Sequence, residues 1–142
     1  MDLQTALNNI LSHKYTNDDL NKIYQEVLKI CNWLDFETKN KVFKGSTDYI
    51  QDGYNETNNA VEKIIEVALK NEKTYIMAIG AITNVAMAII KEPKIIDRIE
   101  VVWLGGHSTL SKDNDEFNFR QDVQGVKKVF ESKVNLTIIP CK

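Results

Sequence analysis

The sequence predicts an α/β fold, an open and mostly parallel sheet with helices on both faces. Three observations predict it. Apolar runs of strand length occur at 73–79, 99–104 and 135–139. Helical patterns separate them, so strand, helix, strand, helix and strand alternate as parallel crossover units require. Breakers stand where the runs stop, at Gly80, at Gly105-Gly106 and at Pro140.

Taken in order, Leu3, Leu7, Ile10 and Leu11 recur at helical spacing and predict a short helix over 3–12, with Asp2 as its N-cap. His13 follows as a surface loop residue. Thr16 or Asn17 caps the next helix, with Asp18 and Asp19 favourable in its first turn. Leu20, Ile23, Tyr24, Val27, Cys31 and Leu34 form one stripe, read as a core-facing face with Trp33 packed at its end. Lys41 to Lys44 is a further short strand, stopped by Gly45-Ser46, and Asp52-Gly53 marks a turn. Asn55 to Asn59 supplies caps for a helix with apolar residues at Ala60, Ile64 and Ala68 and at Val61, Ile65 and Leu69.

After the strand at 73–79, Thr83-Asn84 is the expected cap of a helix over Val85 to Lys91. Glu92 leaves that helix because Pro93 follows it, and Pro93 suits the first turn of a short successor. Asp122 caps a last helix carrying Val123, Val126, Val129 and Phe130. Gly125 inside that helix costs about 1 kcal/mol against Ala, which points to close packing at that position.

At 142 residues the chain suits one domain that buries roughly 68–70% of its unfolded surface. Net charge is −2, and no run of Lys or Arg indicates a nucleic-acid or membrane partner. Apolar runs fall far short of the roughly 20 residues that span a bilayer. Met1 to Ala6 shows neither a basic nor an apolar leader pattern, so a cytoplasmic location is expected. Cys31 and Cys141 are two isolated thiols, read as reduced and structural.

The informative part is the loop after Leu104. Gly105-Gly106 permits a sharp turn, and the polar segment ends in Glu116-Phe117-Asn118 before helix resumes at Asp122. Loops leaving the carboxyl ends of strands build the ligand crevice of an open α/β sheet. A carboxylate and a carboxamide two residues apart offer acceptors and donors to a polyhydroxylated ligand. The plain alternative is a solvated acidic connection, as most such loops are. An EF-hand reading from Asp113 fails, because Phe117 would be a ligand and Asn118 would replace the required Gly.

The segment Gly105-Gly106 followed by Asp-Glu-Phe-Asn-Phe-Arg-Gln-Asp122 resembles the nucleoside hydrolases that prefer inosine and uridine. The resemblance continues upstream through Ala78-Ile-Gly-Ala-Ile-Thr-Asn-Val-Ala-Met-Ala88, Glu92-Pro93 and Ile96-Asp-Arg-Ile99, and downstream through Val129 to Pro140. It covers Thr74 to Cys141 strongly and Val42 to Leu69 more faintly. It implies one partial, truncated Rossmann-like domain over 1–142, with 1–40 a helical lead-in and 41–142 the family-like α/β core.

What the resemblance implies for function is cleavage of the N-glycosidic bond of purine and pyrimidine ribonucleosides, in nucleoside salvage. A calcium ion holds ribose hydroxyls and a water that an aspartate deprotonates. Glu116 and Asn118 match the pair that bonds ribose hydroxyls, Leu104 matches the apolar residue beneath the sugar, and Asn114 is the candidate for the loop asparagine. Ile79 matches the position whose backbone carbonyl binds the metal. His107 is read as a loop residue without a catalytic proton. No acid here matches the family's first, aspartate-bearing strand, and its later His-Asp pair has no counterpart. The resemblance therefore implies calcium in the complete family site and not in this chain alone, with no catalytic residue carried here. It leaves two readings: a fragment or one part of a split enzyme, partnered by a homo-oligomer or a complementing segment, and a non-catalytic ribose-binding or interaction module.

Overall fold

The computed structural model describes residues 17–50, 53, 56–113 and 115–141. The helix expected over 3–12, His13, Thr16, Asp52, Asn55 and Asn114 lie outside the described residues. The chain divides into two compact units, Met1–Val42 and Phe43–Lys142.

In the first unit, helix α1 spans Asn17–Trp33. Its end follows from local chemistry: Asp35 takes a left-handed φ of 53°. Phe36 N then reaches Cys31 O at 2.8 Å and Asp35 N reaches Asn32 O at 3.2 Å, the paired bonds of a Schellman stop. The expected core-facing stripe is not buried, since Ile23, Val27 and Leu34 are exposed. Among the described residues of this unit no second apolar layer covers it. Trp33, expected to pack at the helix end, is 69% exposed. Lys29 Nζ sits 5.1 Å from its ring centre, a contact worth about 0.5–1 kcal/mol at an exposed site.

The strand expected at Lys41–Lys44 does not form. Lys41 N and Val42 N both donate to Thr38 O, at 3.0 and 3.1 Å, closing a turn. Lys44 O accepts from Ala60 N at 3.1 Å, so these backbone groups are spent outside a sheet.

The second unit is built on three parallel strands, β1 (Thr74–Ala78), β2 (Ile99–Leu104) and β3 (Asn135–Ile139), in the order β1-β2-β3. Thr74 pairs with Ile99 and Ala78 with Trp103, while Glu100 pairs with Asn135 and Leu104 with Ile139. All three strands therefore end at one rim. This is the open parallel α/β sheet that the apolar runs predict, and a three-strand sheet of this kind with flanking helices needs crossovers of helix length.

The helices are α2 (Asn59–Lys70), α3 (Thr83–Lys91), α4 (Phe117–Gln121) and α5 (Val123–Glu131), with a 3-10 helix at Pro93–Arg98. Asn58 caps α2 by accepting from Val61 N at 3.0 Å, which satisfies one of the free N–H groups of the first turn, and Val61, Ile65 and Ala68 form one buried stripe. Glu92 and Pro93 behave as expected: Glu92 leaves α3 and accepts from Lys94 N at 3.3 Å. Thr83 and Asn84, expected to cap α3, do not; the N-cap is Ile82, with no side-chain bond. Their side chains are engaged at long range instead. Asn84 Oδ1 accepts from Ser46 N at 2.9 Å and Ser46 Oγ at 2.8 Å, and Thr83 turns to Asp122.

The core gathers Val61, Ile65 and Ala68 of α2, Val85 to Ile89 of α3, Val126 and Val129 of α5, and Ile99, Val101 and Trp103 of β2. Each fully buried aliphatic side chain of this kind contributes about 1.5–3 kcal/mol. These helices pack on one face of β2. On the other face, β1 presents Tyr75 and Met77, which are 63% and 67% exposed. Among the described residues no helix is long and apolar enough to cross a membrane.

Candidate functional site

The rim at the carboxyl ends of the strands is tied together by backbone. Gly105 N donates to Ile139 O at 3.2 Å and Cys141 N donates to Gly106 O at 3.0 Å, so the segments leaving β2 and β3 run side by side. Both glycines are required here. A Cβ at Gly105 would lie 2.5 Å from Trp103 Cε2, and Gly106 has a left-handed φ of 75°. The Trp103 ring beneath them donates from Nε1 to Gly80 O at 2.8 Å and stacks on Phe119 with centroids 5.9 Å apart. That bond fixes the end of β1, and with it Ile79, beside the end of β2.

Gly106 N, presented by this turn, donates to Glu116 Oε2 at 2.9 Å. Glu116 is the N-cap of α4 and accepts from Asn118 N at 3.0 Å and Phe119 N at 2.9 Å. Cys141 Sγ lies 3.5 Å from Glu116 Oε1 and completes the set. The residue is 4% exposed. Burial pushes its pKa up, but the three backbone N–H groups and the thiol outweigh burial and hold it below the ordinary value of 4.5.

Asn118 Nδ2 donates to Leu104 O at 2.9 Å, binding the first turn of α4 to the last residue of β2. The carboxamide keeps a second N–H and the Oδ1 acceptor for other partners. The structure thus brings Leu104, Glu116 and Asn118 into one bonded cluster. Ile79 follows the last residue of β1 at the same rim, its side chain exposed. Asn114 lies outside the described residues. Asp115, on the same loop, holds Arg120 Nη1 at 2.8 Å through both carboxylate oxygens.

His107 lies in the loop after β2. Its side chain is 6% exposed, with Nε2 3.5 Å from Asp113 Oδ1, and among the described residues its Nδ1 has no hydrogen-bond partner. Cys141 is the residue that sequence reasoning missed, having been read as a structural thiol. A signal was available: in a parallel sheet neighbouring strands end together, so the residue after Pro140 must fall beside Gly105-Gly106.

A hard cation such as calcium takes six to eight oxygen ligands. Among the described residues no three or more His, Cys, Asp or Glu are grouped to hold a metal.

Known proteins resemble this chain in sequence and in fold. The sequence model of the family described as inosine-uridine preferring nucleoside hydrolase matches residues 10–142. The inosine-uridine preferring nucleoside hydrolase of Leishmania major is 36% identical over 86 residues, covering 57% of this chain and 27% of that protein. A probable ribonucleoside hydrolase of Dictyostelium discoideum is 34% identical over 73 residues, covering 50% of this chain and 22% of that protein. The chain thus spans about a quarter of the length of the curated relatives it matches. Among solved structures, the purine-preferring ribonucleoside hydrolase from Gardnerella vaginalis superposes with a TM-score of 0.54 at 33% identity, over 60% of this chain and 28% of that one. An inosine-guanosine nucleoside hydrolase superposes with a TM-score of 0.68 over 84% of this chain and 47% of that one, and at 17% identity this likeness speaks for the fold alone. With the family's sequence pattern matching residues 10–142 of this chain and the same sheet underneath, this chain belongs to the inosine-uridine preferring nucleoside hydrolase family.

Proposed function

We propose that the rim cluster of Leu104, Glu116 and Asn118 is the ribose-contacting part of an N-ribohydrolase, and that the chain works as a fragment or one part of a split enzyme. The complete reaction adds water across the N-glycosidic bond of a ribonucleoside, releasing base and ribose, in cytoplasmic nucleoside salvage. The observation that supports this best is the Asn118 side chain bonded to Leu104 O at 2.9 Å with Glu116 on the same turn. It places a carboxylate and a carboxamide together where a sheet of this class binds ligands. In this reading calcium belongs to the completed site, with the Ile79 carbonyl as this chain's contribution and carboxylates coming from a complementing segment or a second copy.

A second reading is a non-catalytic ribose-binding module. It is favoured by the same lack, among the described residues, of a grouped set of metal-binding side chains. Both readings require ribose binding, and equilibrium dialysis of the purified chain against labelled D-ribose tests it. Asn118→Ala should weaken binding about tenfold, the equivalent of about 1.4 kcal/mol. Equal binding by the wild type and the Asn118→Ala and Glu116→Ala variants would remove the ribose site. Ribose release from inosine, restored by adding a relative's missing segments, separates the enzyme reading from the module.

A further inference from the structure

The Glu116 carboxylate has four donors, and they are not alike. Three are backbone N–H groups at 2.9–3.0 Å. They belong to the first turn of α4 and to the Gly106 turn, and none can leave without unwinding that backbone. The fourth is the Cys141 thiol at 3.5 Å, a weak S–H donor on an exposed residue at the end of β3. A carboxylate offers about four lone-pair sites, so Glu116 is saturated as it stands. Any sugar hydroxyl that bonds Glu116 has to displace a donor. A hydroxyl-to-carboxylate bond, at about 2.5–2.7 Å, is far stronger than the thiol contact.

We infer that Cys141 is a positioning residue of the ribose subsite, holding the one place on Glu116 that a ligand hydroxyl takes and leaving it when the ligand binds. The inference rests on the ribose reading of Glu116 and Asn118. It makes the thiol a reporter of the site. Local desolvation of the thiol and the neighbouring carboxylate both raise the Cys141 pKa above the ordinary 9.0, which keeps the nucleophilic thiolate scarce. Release from Glu116 lets the pKa fall and the thiolate fraction rise.

The test uses the full chain with Cys31→Ser, so that Cys141 is its sole thiol. Alkylation by iodoacetamide is followed by mass spectrometry with and without D-ribose, at concentrations where equilibrium dialysis shows the site filled. Ribose should speed alkylation about threefold or more. Glu116→Gln should speed it without ribose and abolish the ribose effect. Cys141→Ala should bind ribose more tightly and Cys141→Ser, a stronger donor of similar shape, more weakly; a merely structural thiol would not split the two in this direction. Measured ribose binding with an unchanged or slower alkylation rate overturns the inference and leaves the ribose site standing. No ribose binding in dialysis overturns both, and an unchanged rate in Glu116→Gln removes the Cys141–Glu116 contact itself.

Discussion

Thr83 Oγ1 donates a 2.6 Å hydrogen bond to Asp122 Oδ2, joining the first residue of α3 to the N-cap of α5 across 39 positions of chain. Asp122 is fully buried. It also accepts from Ile50 N at 3.1 Å and Gly125 N at 2.8 Å, so one carboxylate pins a loop and two helices beneath the rim. A buried carboxylate is tolerated when its oxygens are partnered, as both oxygens of Asp122 are.

Thr83→Val keeps the shape and deletes the donor, and should cost roughly 1–3 kcal/mol in urea unfolding. Asp122→Ala should cost more, because it strands three donors at once. A Thr83→Val protein as stable as the wild type would show that Asp122 does not organise this junction.

The glycines divide by surroundings. An added Cβ at Gly105 would meet the Trp103 ring at 2.5 Å, whereas at Gly80 nothing lies within 4 Å. Trp103 cannot yield, since it is buried and bonded to Gly80 O. Gly105→Ala should therefore destabilise by about 1–3 kcal/mol, and Gly80→Ala should be close to neutral. Thermal unfolding of the two variants side by side decides it.

Glu116 makes stability depend on pH. Its folded pKa lies below the ordinary 4.5, so its contribution is fully present above that value and is lost as pH falls through the folded pKa. Midpoints measured from about pH 7 down to about pH 3 should fall less steeply in Glu116→Gln than in the wild type. Parallel curves would mean that the N–H groups around Glu116 do not favour its charged form.

The chain alone should release no ribose from inosine or uridine, with or without millimolar calcium. Activation of water by a metal needs the ion held by several oxygens, and among the described residues no grouped set of acids does so. A reducing-sugar assay with a Glu116→Ala control measures this. Calcium-dependent turnover, lost in the control, would show that this chain assembles the site by itself.

Strand β2 was readable because its burial is written in local pattern, Ile99, Val101 and Trp103 alternating with less buried neighbours, whereas the apolar residues near Lys41–Lys44 gave a strand signal that the turn at Thr38 overrides. Caps were readable where the side chain bonds its own helix, as Asn58 and Asp122 do. They were unreadable at Thr83 and Asn84, whose side chains spend their bonding on Asp122 and Ser46, far away in sequence. The apolar periodicity of α1 is real, yet periodicity names a face and not what covers it. At the candidate site, motif and spacing single out Glu116 and Asn118, which the fold joins to each other and to Leu104. The saturation of the Glu116 carboxylate depends on where the Gly106 turn and the end of β3 come to rest, which only the folded chain specifies.

The contrast between the two tryptophans supplies a built-in optical readout. Trp103 is completely shielded, and Trp33, in the other unit, is 69% exposed. Since the chain has two tryptophans in all, its emission should resolve into a blue component that acrylamide barely quenches and a red one that it quenches readily. Replacing Trp33 with Phe leaves a single emitter stacked on Phe119 under Gly105, whose wavelength and polarisation then report directly on the packing beneath the rim that carries Glu116.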